Sequence, residues 1–112
     1  MSLSKKKRKL SEHGLQLVAR RFQVLSEPAR LRLLMALEKG EQNVTALVAA
    51  TDLSQGNVSK HLGILADAHI VSRRREGANV FYVISDPEIF RLCDLICSKL
   101  AKEFTEKSAH FR

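Results

Sequence analysis

From Ser11 onward the apolar positions recur at helical spacing, and they do so on two faces at once. Leu15, Val18, Phe22 and Leu25 form one line, while Leu10, Leu17 and Val24 form a second at seven-residue intervals. A helix needs one apolar stripe to join its own core, so the second calls for another partner. A second helix is predicted from Ser26, Glu27 and Pro28, a capping residue followed by proline in the first turn, through Leu31, Leu34, Met35 and Leu37 to a stop at Gly40. Asn43 has the chemistry to cap a short third helix that carries Val44, Leu47 and Val48 as far as Ala50. Thr51, Asp52 and Leu53 read as a tight turn, and Ser54 as the cap of a fourth helix with Val58, Leu62 and Leu65 as its buried stripe. Two short helices joined by about four residues make a helix-turn-helix.

Beyond that helix the period changes. Ile70, Val71 and Ser72 lead into Arg73, Arg74, Arg75, Glu76, Gly77, Ala78 and Asn79, followed by the β-rich run Val80, Phe81, Tyr82, Val83 and Ile84. This is the pattern of a two-stranded hairpin with a glycine turn and a cationic tip. Asp86 and Pro87 then open a last helix, expected to reach about Glu106, whose first half is apolar almost all round. Two terminal helices with more apolar surface than one core can use predict a subunit interface built from Leu10, Leu17, Val24, Phe90, Leu92, Leu95 and Ile96. The predicted fold is mostly α with a small β-hairpin: a dimeric winged helix-turn-helix of about five helices and a two-stranded wing. Residues 1–9 are expected to be a basic flexible leader, 10–106 the DNA-binding and dimerising domain, and 107–112 a tail.

Composition narrows the class. A chain of 112 residues fits one modest core and leaves no room for a second catalytic domain. The net charge of +7 suits a nucleic-acid partner, but Lys5, Lys6, Lys7, Arg8 and Lys9 carry much of it. Beyond them fourteen basic residues face twelve acidic ones, so the placement of the cations matters more than their sum. The leader itself reads either as a solvated tail or as an arm that touches phosphate. No apolar run approaches the ~18 residues of a membrane span and the start lacks the hydrophobic centre of a secretion signal, so the protein is expected to be cytoplasmic. No Ser, His and acid arrangement, phosphate loop or metal-ligand spacing is present, so neither an enzyme nor a cofactor is expected.

On the fourth helix, burial of Val58, Leu62 and Leu65 turns Gln55, Gly56, Asn57, Ser59 and Lys60 outward near the helix N-terminus, the end that a recognition helix offers to the major groove. Gln and Asn bond in bidentate fashion to adenine edges, Ser suits base or phosphate, and Lys contacts phosphate. Gly56 reads either as permitting close backbone approach to DNA or as simple tolerance. Strand alternation sets Arg73 and Arg75 on one face and Arg74 on the other, with two of the three expected on DNA and one free to pair with an acid such as Glu76. A polar helix face alone is an ordinary surface feature, and the same wing and helix on an acidic protein partner is the competing reading.

The stretches LSEPARLRLLMALEKGE, LSQGNVSKHLGILADAHIV and RRREGANVFYVI resemble the ArsR/SmtB family of bacterial winged-helix repressors over about residues 22 to 100. The resemblance implies a homodimer joined through its first and last helices, bound to a palindromic operator of double-stranded DNA and released by an inducer. It further implies that Ser54, Gln55, Asn57, Ser59, Lys60 and His61 on the helix, and the arginines with Gly77 and Asn79 on the wing, are the DNA readers. His61 also reads as a structural histidine beside Leu62.

The family's metal sites do not carry across. Where thiolate-sensing relatives have a CVC pattern this chain has Asn43, Val44 and Thr45, and the zinc positions of the last helix read Asp86, Glu88, Lys99 and Lys102, two of them ammonium groups. Asp52 stands where the turn normally holds glycine, and it tolerates the left-handed conformation better than most residues. Cys93 and Cys97, four apart on a helix, are poorly placed to bond to each other. They read either as two small buried hydrophobes or as a dithiol that meets a soft metal, a metalloid or an oxidant. His13, His69 and His110 are scattered and suggest no site.

Overall fold

The computed structural model describes residues 9–105. The basic run from Lys5 to Arg8, the tail from 107 and His110 lie outside the described residues. The order is α1 (Glu12–Val24), α2 (Pro28–Leu37), β1 (Gln42–Asn43), α3 (Val44–Thr51), α4 (Gln55–Asp67), β2 (Val71–Glu76), β3 (Asn79–Ile84) and α5 (Glu88–Glu103).

Local chemistry sets most boundaries. The Ser11, Asn43 and Ser54 side chains accept from the backbone N–H groups of Gly14, Ala46 and Asn57, satisfying donors that the first turns of α1, α3 and α4 leave free. Ser26 does not cap α2, contrary to expectation: its hydroxyl donates back to the Gln23 carbonyl at 2.7 Å, and Glu27 holds the cap position without a side-chain bond. Pro28, which needs no N–H partner there, is enough to start the helix. Asp52 adopts the left-handed conformation with φ 61°, and its N–H donates to the Val48 carbonyl at 3.1 Å to close α3. His69 does the same after α4 with φ 63°. Its N–H donates to the Ala66 carbonyl, and that of Ile70 reaches back to Leu65.

The wing is larger than the predicted hairpin. It is a three-stranded antiparallel sheet in the order β1-β3-β2, because Gln42 and Asn43 pair with Tyr82 and Phe81. Two residues are too few to show strand alternation, and Asn43 serves at once as strand and helix cap, so its sequence signal is that of the cap. The core lies under the helix-turn-helix: Leu33, Leu34 and Leu37 of α2, Leu47 of α3, Val58, Leu62 and Leu65 of α4, then Ile70, Val71, Tyr82 and Ile89. Each such side chain contributes about 1.5–3 kcal/mol on burial, which locks α4 between α2, α3 and the wing.

The terminal helices stand apart. No residue of α1 is buried, and an open cleft of about 450 Å³ lined by Leu17, Arg20, Val24, Ile64 and Asp67 separates α1 from the end of α4. Both apolar lines of α1 are therefore exposed, where one was expected to join its own core: Leu15, Val18 and Phe22 are as open as Leu10 and Leu17, and only Val24 and Leu25 pack on the core. On α5 Ile89 is buried, Phe90 and Leu92 lean partly on the core, and Leu95 and Ile96 are exposed by 68% and 49%. Among the described residues no helix is long and apolar enough to cross a membrane.

Candidate nucleic-acid interface

The N-terminal half of α4 presents one face of polar side chains. Gln55, Asn57, Ser59 and Lys60 are exposed while Val58 and Leu62, between and after them, are wholly buried, so the buried stripe fixes the rotation of the helix and aims the polar row outward. Ser54 is exposed too, its hydroxyl engaged as the cap with Asn57 N–H at 3.1 Å. The positive end of the helix dipole lies at this same end, where it favours an anion such as a backbone phosphate.

Gly56 sits in this row, and a Cβ added to it meets nothing within 4 Å; the same holds for Gly63 two turns later. Nothing among the described residues therefore requires glycine at either place. Gly56→Ala and Gly63→Ala are each expected to stabilise the protein by up to about 1 kcal/mol in thermal melts. Only Gly56→Ala is expected to weaken DNA binding, by severalfold in a gel shift. Equal binding by both variants means that Gly56 is merely tolerated.

The wing sorts its arginines by face. Arg73 pairs across the sheet with Tyr82 and Arg75 with Val80, on the side of the sheet that carries the buried Tyr82, while Arg74 pairs with Phe81 on the other side. Arg74 is the arginine that meets acids. Its Nε and Nη2 donate to the two Glu41 carboxylate oxygens at 3.0 and 2.7 Å, Nη1 donates to Glu76 at 2.7 Å, and the guanidinium lies 4.8 Å from the centre of the Phe81 ring. The bonds to Glu41 and Glu76 raise the Arg74 pKa, and the Arg74 guanidinium in turn holds the Glu41 carboxyl below its usual range. Because Glu41 directly precedes β1 and Asn43 caps α3, this clamp joins the wing to the helix-turn-helix. Arg73 and Arg75 are exposed with no ion-pair partner among the described residues. Gly77, at φ 63°, makes the two-residue turn between Glu76 and Asn79 possible, and Asn79 is exposed at the tip.

His61 lies half-buried one turn beyond Asn57, and its Nδ1 is 2.9 Å from Arg30 Nη1. Sequence reasoning missed both long-range partners, Glu41 for Arg74 and Arg30 for His61, which stand 33 and 31 residues away. Cys93 and Cys97 are both half-buried on α5, and burial, with Asp94 next in effect, pushes the Cys93 thiol up. Among the described residues no three His, Cys, Asp or Glu side chains gather as a metal would need.

Comparison with known proteins agrees with this geometry. Residues 27–73, which hold α2, α3, α4 and the start of the wing, match the family described as bacterial regulatory protein, arsR family. The probable mercury resistance operon repressor of Streptomyces lividans is 40% identical over 78 residues, which are 70% of this chain and 60% of that protein. The crystal structure of Mycobacterium tuberculosis Rv0081 superposes with a TM-score of 0.77 at 33% identity, over 87% of this chain and 98% of that one. The solution structure of a homodimeric winged helix-turn-helix DNA-binding domain from Mycobacterium bovis, described as a possible ArsR-family regulator, gives 0.70 at 30% identity over 95% and 94%. With a helix-turn-helix, a three-stranded wing and two solved structures that match over nearly their whole length, this chain belongs to the ArsR family of winged helix-turn-helix regulatory proteins.

Proposed function

We propose that this protein is a transcriptional repressor that binds a palindromic operator as a homodimer and leaves it when an inducer acts. One observation carries the reading: the exposed row Gln55, Asn57, Ser59 and Lys60 stands at the start of α4, and on the adjoining wing are two exposed guanidiniums, Arg73 and Arg75, that have no ion-pair partner among the described residues. Gln55 and Asn57 then read bases in the major groove, Ser59 and Lys60 contact base or phosphate, and Arg73 and Arg75 hold the backbone. Ser54, Gly56, Gly77 and Asn79 line the same surface, and Arg74 orients the wing.

Exposed apolar surface on α1 and α5 supports the dimer, as does the homodimeric state of the M. bovis relative. The interface is formed by Leu10, Leu17, Leu95 and Ile96, with Val24, Phe90 and Leu92 at its margin against each core. The names of relatives support repression. Cys93 and Cys97 are the thiol candidates for the inducer's action, and a reagent that needs the thiolate reacts there faster as pH rises, because burial holds the Cys93 proton.

Selection of duplexes from a random pool, followed by gel shifts, tests the reading. A selected duplex is expected to bind more tightly than random sequence by 10³-fold or more, on the order typical of specific recognition. Gln55→Ala and Asn57→Ala should each reduce that preference by about 10–100-fold while leaving random-sequence binding unchanged. Absence of binding to any duplex at ~50 mM salt, where phosphate contacts are strongest, supports the protein-interaction module instead.

A further inference from the structure

A single guanidinium ties the first helix to α4. Arg30, in the first turn of α2, donates from Nε to the Val24 carbonyl at 2.6 Å and from Nη2, more weakly, to the Gln23 carbonyl at 3.5 Å, both in the last turn of α1. Its Nη1 donates to Nδ1 of His61 at 2.9 Å. Arginine has no nitrogen free to accept, so the acceptor is His61, and Nδ1 accepts only while the ring is neutral with its proton on Nε2. A second proton turns Nδ1 into a donor and sets a cation against Arg30.

The position of the ring makes this contact consequential. His61 follows Asn57 by one helical turn on the same side of α4 and directly precedes the wholly buried Leu62. The charged groups that face it are Arg30 of α2, Glu27 at the cap of that helix, and Lys60 from its own helix. Burial first, then Arg30 and Lys60, push the imidazolium below its ordinary value of 6.5, while Glu27 pulls the other way. The pair is therefore made at neutral pH and broken by acid.

We propose that neutral His61 is a positioning residue for operator reading: its bond to Arg30 holds α4 at the angle from which Gln55 and Asn57 reach base edges, and acidification releases the operator. This rests on the reading of α4 as the recognition helix. It also places a link between α1, where the subunits meet, and α4, where bases are read, so a shift of α1 in the dimer reaches the recognition helix through one side chain.

The test is operator affinity of the full chain by fluorescence anisotropy at pH 7.5 and pH 5.0, at fixed ionic strength, for the parent, His61→Gln and Arg30→Lys. The parent should weaken by about tenfold more than His61→Gln on acidification, the size expected when one charge-assisted hydrogen bond is lost. His61→Gln should respond little, because an amide oxygen accepts from Arg30 at both pH values. Arg30→Lys keeps the charge but not the fork, so it should bind more weakly at pH 7.5 with a smaller step. Parallel responses in parent and His61→Gln overturn the proposal alone, as does tighter binding by the parent at pH 5.0, which means that the charged ring meets phosphate. Absence of parent binding at pH 7.5 overturns the functional reading and this proposal with it. Should His61→Gln fail to fold, the ring nitrogen signals of the parent decide: the Nε2–H tautomer at neutral pH is expected, and the Nδ1–H tautomer contradicts.

Discussion

Leu95→Asp combined with Ile96→Asp is expected to yield a folded monomer that binds a palindromic operator at least about 100-fold more weakly than the parent. The two side chains are 68% and 49% exposed, so one chain on its own loses almost nothing when they change. Surface substitutions of this kind cost within about 0.5 kcal/mol of monomer stability. Two carboxylates per subunit in an apolar interface would by contrast be unpaired and desolvated, which a dimer cannot offset. The operator then loses the advantage of a second half-site held at high local concentration by the first. Sedimentation gives the mass, a thermal melt the folding and anisotropy the affinity. A variant that still sediments as a dimer and binds as the parent does removes α5 from the interface.

The wing gives the second large effect. Changing Arg73 and Arg75 together to Ala is expected to remove four phosphate contacts from a dimer and to flatten the slope of log affinity against log salt by about 3.6, at about 0.9 per contact. At ~50 mM salt the loss of affinity should be on the order of 100-fold, alike for operator and random sequence. Arg74→Ala makes the contrast. That guanidinium is already bonded to Glu41 and Glu76, so its removal should leave the slope unchanged and cost less than about fivefold, through a looser wing. A flattened slope for Arg74→Ala, with none for the double variant, would reverse this assignment.

These two expectations differ in how far the sequence alone supports them. α4 was legible because its signals are local: Ser54 caps it, Val58, Leu62 and Leu65 keep the helical period, and the structure finds all three buried. The surplus apolar faces of α1 and α5 were legible for the same reason, although the pattern could not tell that both lines of α1 lie open. The division of labour among Arg73, Arg74 and Arg75 was not legible. Alternation separates Arg74 from its neighbours, but which face meets acids depends on Glu41, brought close only when β1 joins the sheet. The Arg30 contact to His61 likewise forms only when α2 packs on α4. His69 closes α4 in a left-handed conformation usually held by glycine, so its role left no mark in the residue type.

A stability consequence follows for His61. Its folded pKa lies below the unfolded value, so the neutral form is the one that folding favours. The stabilisation is present above about pH 6.5 and is lost as pH falls through the depressed folded value, so acid destabilises the fold on the same side on which it releases the operator.

The central claim is that α4 reads bases from two symmetry-related subunits while the wings hold the flanking backbone. Hydroxyl-radical footprinting of a selected operator tests it most directly. The account predicts two protected half-sites about 34 Å apart on one face of the duplex, with protection outside each that disappears in the Arg73→Ala, Arg75→Ala variant. A single protected half-site, or protection independent of sequence, would contradict it.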